Sequence, residues 1–173
     1  MNECVVYLMK KESLKVLKVM NEVTTKTDLN GFARLVGLSP TETIEQMQEL
    51  LKSGLVRKAG SGYGITEKGR NALRAFVPVE KGKEFHFYND IDQPNGFQAE
   101  NILSFYDILK IAPVASLEFH LYREDFEKWI SGEIGDSALV DELAKIKSQG
   151  LKGEELRKEF LLALGRRYCI SEA

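Results

Sequence analysis

Apolar residues recur along this chain at intervals of three and four, in blocks separated by short polar or glycine-containing breaks. Leu14, Val16, Leu17 and Met20 set the first block and predict a helix from Lys11 to Val23. Thr24 to Thr27 is a polar break. Asp28 then stands where it can cap a second helix with Leu29, Phe32, Ala33 and Val36 on one face, and Gly37 ends it. Ser39-Pro40-Thr41-Glu42 has the form of a capping box with proline at the first helical position. It predicts a third helix to about Ser53, with Ile44, Met47, Leu50 and Leu51 buried. Leu55-Val56-Arg57-Lys58 reads as a strand, Gly60-Ser61-Gly62 as a turn, and Tyr63-Gly64-Ile65 as the start of a return strand. Thr66 is placed to cap a fourth helix from Glu67 to Phe76.

Val77 to Lys83 breaks the pattern and predicts a division into domains 1–78 and 84–173. The second half opens with a strand, Glu84 to Tyr88, followed by a loop, Asn89 to Gly96. Helices follow over Ala99–Lys110, Val114–Ser131, Ser137–Ser148 and Glu154–Tyr168, with Gly135-Asp136 as a stop and a new cap. Phe119, Tyr122, Phe126, Trp129 and Ile130 step at helical spacing and form a core face. Leu156, Phe160, Leu161, Leu162 and Leu164 make the last helix broadly apolar, which suits either dimerisation or docking on its own domain. The expected fold class is α+β and mostly helical.

Charge divides the chain in the same place. Residues 1–80 hold 12 Lys and Arg against 9 Asp and Glu, and residues 81–173 hold 12 against 17. A mildly basic first half and an acidic second half suit a nucleic-acid module joined to a domain that does not touch phosphate. Two cysteines, Cys4 and Cys169, supply neither a disulfide framework nor a zinc ligand set, and the apolar run Cys4 to Met9 is too short for a signal segment or a membrane span. The expected setting is the cytoplasm.

The order of helices and hairpin, the step Gly54-Leu55-Val56-Arg57 and the entry Ile65-Thr66-Glu67-Lys68-Gly69-Arg70 resemble the prokaryotic winged helix-turn-helix regulators in the broad sense that includes MarR-like and PadR-like proteins. The resemblance covers roughly residues 10–76. It implies a third helix in the major groove and a hairpin wing on the backbone, in a protein that binds double-stranded DNA as a dimer. Carried onto this chain, the DNA-contacting residues would be Arg34, Thr41, Glu45, Gln46, Arg57, Lys58, Ser61, Tyr63, Lys68 and Arg70, with the N–H groups near Asp28 as a further anion site. One feature resists this. With Ile44, Met47 and Leu51 buried, Glu42, Glu45 and Glu49 face the polyanion, which is unfavourable unless each accepts from a cytosine amine. That acidic stripe instead suits a protein-interaction adaptor with a basic partner.

In the second half, Ser116-x-x-x-His120, Asp125-Phe126-x-x-Trp129 and Gly135-Asp136 resemble an uncharacterised archaeal and bacterial domain over most of residues 84–168, which implies a fold unit and no activity. His120 with Glu124 four residues on, beside Arg123 and Asp125, suggests either a general base or a structural histidine near the core, and the second is the simpler reading. His86, His120, Arg123, Asp125 and Trp129 are the candidates for a small-molecule effector pocket. A metal would need the fold to bring His86 to His120 beside a carboxylate. Gly60-Ser61-Gly62-Tyr63-Gly64 lacks the spacing of a dinucleotide or phosphate loop, and no catalytic motif is present, so neither cofactor nor enzyme is expected. The preferred reading is a transcriptional regulator, followed by the adaptor and then by an enzyme centred on His120.

Overall fold

The structure, a computed structural model, describes residues 9–23 and 27–170. Cys4, the apolar run it opens apart from Met9, and residues 24–26 of the polar break lie outside the described residues. The fold is α+β, predominantly helical, with two small antiparallel sheets. The chain divides into two compact units, Met1–Leu73 with Tyr168–Ala173, and Arg74–Arg167.

In the first unit, α1 (Lys11–Glu22) packs on α2 (Leu29–Val36) and α3 (Pro40–Lys52), and a hairpin of β1 (Val56–Ala59) and β2 (Gly62–Ile65) leads into α4 (Glu67–Arg74). The caps are those the sequence indicates. The Asp28 carboxylate accepts from the Gly31 N–H at 2.7 Å, and Gly37, at φ 76°, closes α2 in a conformation that costs glycine little. Ser39 and Glu42 bond reciprocally at the start of α3. Val16, Leu17, Val36, Leu50, Leu55, Val56, Ala72 and Leu73 form the core, with Cys169 against it.

The buried side of α3 differs from the expected one. Thr43 is buried and Ile44 is 43% exposed. A threonine tolerates this site because its hydroxyl donates to the Ser39 carbonyl at 2.8 Å, leaving only its methyl to be packed. Thr66 joins the hairpin to α4. Its Oγ1 accepts from the Gly69 N–H at 3.0 Å and donates to the Gly54 carbonyl at 2.8 Å. Gly69 packs so closely that a Cβ there would collide with the Leu55 carbonyl oxygen and lie 2.8 Å from the Ile65 side chain.

The second unit begins with β3 (Phe85–Asp90) paired to β4 (Gln93–Ala99). The predicted loop Asn89–Gly96 is therefore in large part a strand. Its Gln-Pro-Asn-Gly composition disfavours strands in isolation, and pairing with β3 together with packing on α5 overrides it. Asp92, at φ 56°, makes the turn, and the register shifts twice between His86 and Asp90. α5 (Ile102–Ile111) starts after the Asn101 cap rather than at Ala99.

The single helix expected over Val114–Ser131 is broken. α6 (Val114–Tyr122) ends at Arg123, Glu124 takes φ 64°, and α7 (Asp125–Trp129) runs on into a π-helical turn over Ile130–Ile134, which Gly135 stops. Lys147 of α8 (Ser137–Ser148) donates to the Glu124 carboxylate at 2.8 Å. In α9 (Gly153–Tyr168), Leu156, Phe160, Ala163 and Leu164 are buried and Leu162 is exposed, so most of its apolar surface docks. Among the described residues no helix is long and apolar enough to cross a membrane.

Candidate functional site

Two regions carry the residues singled out by sequence. In the first unit, rotation of α3 redefines its outward side. With Thr43, Met47 and Leu50 inward, the helical period places Thr41, Glu45, Gln48 and Lys52 outward, with Ile44 on one flank and Glu49 on the other. Glu42 is occupied at the cap. Gln46, expected to contact DNA, is half-buried and accepts from the Ser13 hydroxyl at 2.7 Å, which ties α1 to α3. Gln48 takes its place on the exposed side; recognising the buried Thr43 was the signal needed to find it.

On the hairpin, Lys58 pairs with Tyr63 and Arg57 with Gly64, so nothing larger than a glycine stands opposite the arginine. Arg57, Lys58, Ser61, Tyr63 and the α2 residue Arg34 are exposed. Gly60, at φ 59°, occupies the first position of the two-residue turn, where positive φ is required. Lys68 and Arg70 are partly committed to their own backbone. Lys68 donates to the Ser53 carbonyl at 2.9 Å, where it closes the C-terminus of α3, and Arg70 donates to the Ile65 carbonyl at 3.2 Å. The anion site expected at the start of α2 is filled by the Asp28 carboxylate itself. Lys11, Lys15 and Lys18 form an exposed stripe along α1 that the sequence reading did not single out, although their spacing of four and three displays it.

In the second unit the motif residues act together. β3 has β4 on one side only, so the Tyr88 N–H points away from the ladder, and it donates to His120 Nε2 at 2.8 Å. Four residues earlier on α6, Ser116 Oγ accepts from the Asn95 amide at 3.1 Å. The Ser-x-x-x-His spacing thus puts both groups on the α6 face that meets the hairpin. His120 Nδ1 lies 3.0 Å from Asp125 Oδ2, not from Glu124; the break at Glu124 removes the i, i+4 geometry and substitutes its neighbour. An acceptor at Nε2 requires the proton on Nδ1, so the imidazole is neutral with both nitrogens engaged. Burial at 3% exposure, among Phe85, Phe87 and Phe126, holds its pKa below the ordinary value, against the opposing pull of Asp125.

Phe126 is core, and Trp129 Nε1 donates to the Lys83 carbonyl at 2.8 Å. Asp136 is 1% exposed. Its carboxylate takes Arg167 at 2.6 Å through Nε and again through Nη2, meets Arg74 Nη1 at 3.3 Å, and caps α8 at the Leu139 N–H. Residues 65–165 match a family of unknown function, DUF5752, over more than half of the chain. The chain belongs to this family. Comparison with curated proteins and with solved structures finds no match. In this DUF5752 protein the matched span contains Ser116, His120, Asp125, Phe126, Trp129 and Asp136, each fixed in a structural contact.

Beside that framework lies an open cleft of about 380 Å³ between the outer face of β3 and the corner joining α6 to α7. Alternation along β3 buries Phe85 and Phe87, Phe85 still lining part of the cleft, and leaves His86, Tyr88 and Asp90 at the cleft. Phe119, Arg123 and Asp125 line the other side. Four of the five expected pocket residues therefore meet here, including both histidines. Trp129 does not line it, because its indole is turned to Lys83. Among the described residues no group of three or more His, Cys, Asp or Glu side chains could hold a metal ion. Glu127 on α7 is buried with neither carboxylate oxygen hydrogen-bonded, and burial raises its pKa.

Proposed function

We propose that the first unit is a winged helix that binds double-stranded DNA as a homodimer, and that the protein is a cytoplasmic transcriptional regulator. The observation that carries this reading is the outward side of α3. Thr41, Gln48 and Lys52 are donors of the kind used on base edges and phosphates, and exposed Ile44 suits a thymine methyl. Glu45 accepts from a cytosine amine in this arrangement. Glu42 is turned back to cap its own helix, where its charge is set against the N-terminus of α3, and Glu49 stays on the flank. Arg57, Lys58 and Arg34 supply the salt-dependent, sequence-independent part of the affinity.

The test is fluorescence anisotropy of the full chain with a mixed-sequence duplex over a salt series. Binding is expected in dilute buffer and weakens as salt rises. Arg57→Ala and Lys58→Ala each lower the slope of log affinity against log salt by about one, with equal loss on all sequences. Absence of binding at the lowest salt refutes the regulator reading. If a basic protein partner is then lost when Glu45 and Glu49 become glutamine, the adaptor takes its place.

A further inference from the structure

We infer that the cleft of the second unit binds a small organic cation, an alkylguanidinium or alkylammonium compound, between its aromatic and carboxylate side chains. The inference is independent of DNA binding and concerns this cleft alone.

The charge lining the cleft comes first. Asp90, Asp92 and Asp125 contribute three carboxylates, and Arg123 contributes one guanidinium. An anion entering would meet three like charges for one opposite, whereas a cation is favoured by the sum. The walls come second. Phe119 and Tyr88 present ring surface, and a π-face beside a carboxylate is the combination that holds a guanidinium or ammonium group.

The protein already uses this chemistry on itself. The Arg123 guanidinium carbon lies 4.8 Å from the Phe119 ring centroid, and Arg123 Nε is 3.4 Å from Asp125 Oδ2. That contact is long and single rather than bidentate, and the Arg123 side chain is 52% exposed. Arg123 therefore occupies the mouth loosely, in the manner of a tethered stand-in for the ligand, and can swing to solvent. Its Asp125 partner stays in place because His120 holds it from the core side. The cleft also has the volume of a small-molecule site.

The experiment is a titration of the full chain, without DNA, followed by NMR at His86 and Tyr88 and by calorimetry. The probe is n-propylguanidinium, with neutral n-propylurea as the isosteric control and anionic propionate as the control of opposite charge. The guanidinium is expected to bind and the two controls not to. The double variant Asp90→Asn with Asp92→Asn is expected to weaken it by roughly two- to fivefold for each charge removed, and Phe119→Leu to weaken it as well. Arg123→Gln removes the competitor and is expected to tighten binding two- to fivefold or so. Three outcomes overturn the inference: propionate binding that Arg123→Gln abolishes, equal response to n-propylurea, or no change at His86 and Tyr88 with any probe. Far-ultraviolet circular dichroism of each variant verifies the fold before the comparison is made.

Discussion

The Asp136→Asn substitution tests the framework of the second unit most sharply. The carboxylate is almost fully enclosed and receives donors from Arg167, Arg74 and the first turn of α8. Asparagine has nearly the same shape and retains one acceptor for the Leu139 N–H. Its amide nitrogen, however, must face a guanidinium N–H, and the negative charge that balances Arg167 is gone. Removing one member of a buried ion pair costs about 3–5 kcal/mol, since the other charge stays desolvated and unpaired. A small domain has about 5–15 kcal/mol in total, so a large share of the stability disappears. The assay is urea unfolding of the full chain read by tryptophan fluorescence. Trp129 is the one tryptophan in the sequence and is buried in the second unit, so the signal reports that unit. With a slope of about 1–3 kcal/mol per molar urea, the midpoint falls by about 2 M. A midpoint within about 0.3 M of the parent would show that the two arginines contribute little and that the carboxylate serves only as a helix cap.

Two further outcomes follow from the packing. Glycine to alanine inside a helix ordinarily stabilises by about 1 kcal/mol, but at Gly69 the new methyl meets the Leu55 carbonyl, so Gly69→Ala is expected to destabilise by about 1–3 kcal/mol. Circular dichroism melts check the sign, and a gain would refute the close approach of α4 to the hairpin. His120 predicts a pH dependence. Its folded pKa lies below the unfolded value of 6.5, so the unfolded chain binds the proton more tightly. Its stabilisation is full above pH 6.5 and is lost as pH falls through the lower folded value. Glu127 has the opposite slope, its raised pKa costing stability as pH climbs above 4.5, so the two are separated by comparing parent with variant. His120→Gln keeps an acceptor for the Tyr88 N–H without a titrating ring. The parent is expected to lose stability relative to it as pH falls below 6.5, and parallel profiles would remove His120 from the account.

Local signals in the sequence sufficed wherever the structure is decided locally. Asp28, the Ser39–Glu42 box, Thr66 and Asp136 each satisfy orphan N–H groups within one turn, so residue type and spacing alone place the helix starts. The first hairpin was legible for the same reason, through Gly60 and its flanking strands. The candidate pocket was partly legible, because His120, Arg123 and Asp125 are close in sequence, and His86 stands on the strand that alternation predicts. What remained hidden depends on partners distant in the chain. β4 exists through pairing with β3, against the propensities of Pro94, Asn95 and Gly96. At the break, Glu124 meets Lys147 of α8 and Asp125 reaches His120, contacts that a periodic pattern cannot display. The inward side of α3 was decided when Gln46 met Ser13 of α1, which turned Thr43, its hydroxyl already bonded within its own turn, toward the core. Periodicity ranks residues by apolarity, whereas burial is settled by which polar atoms find a partner once the elements meet.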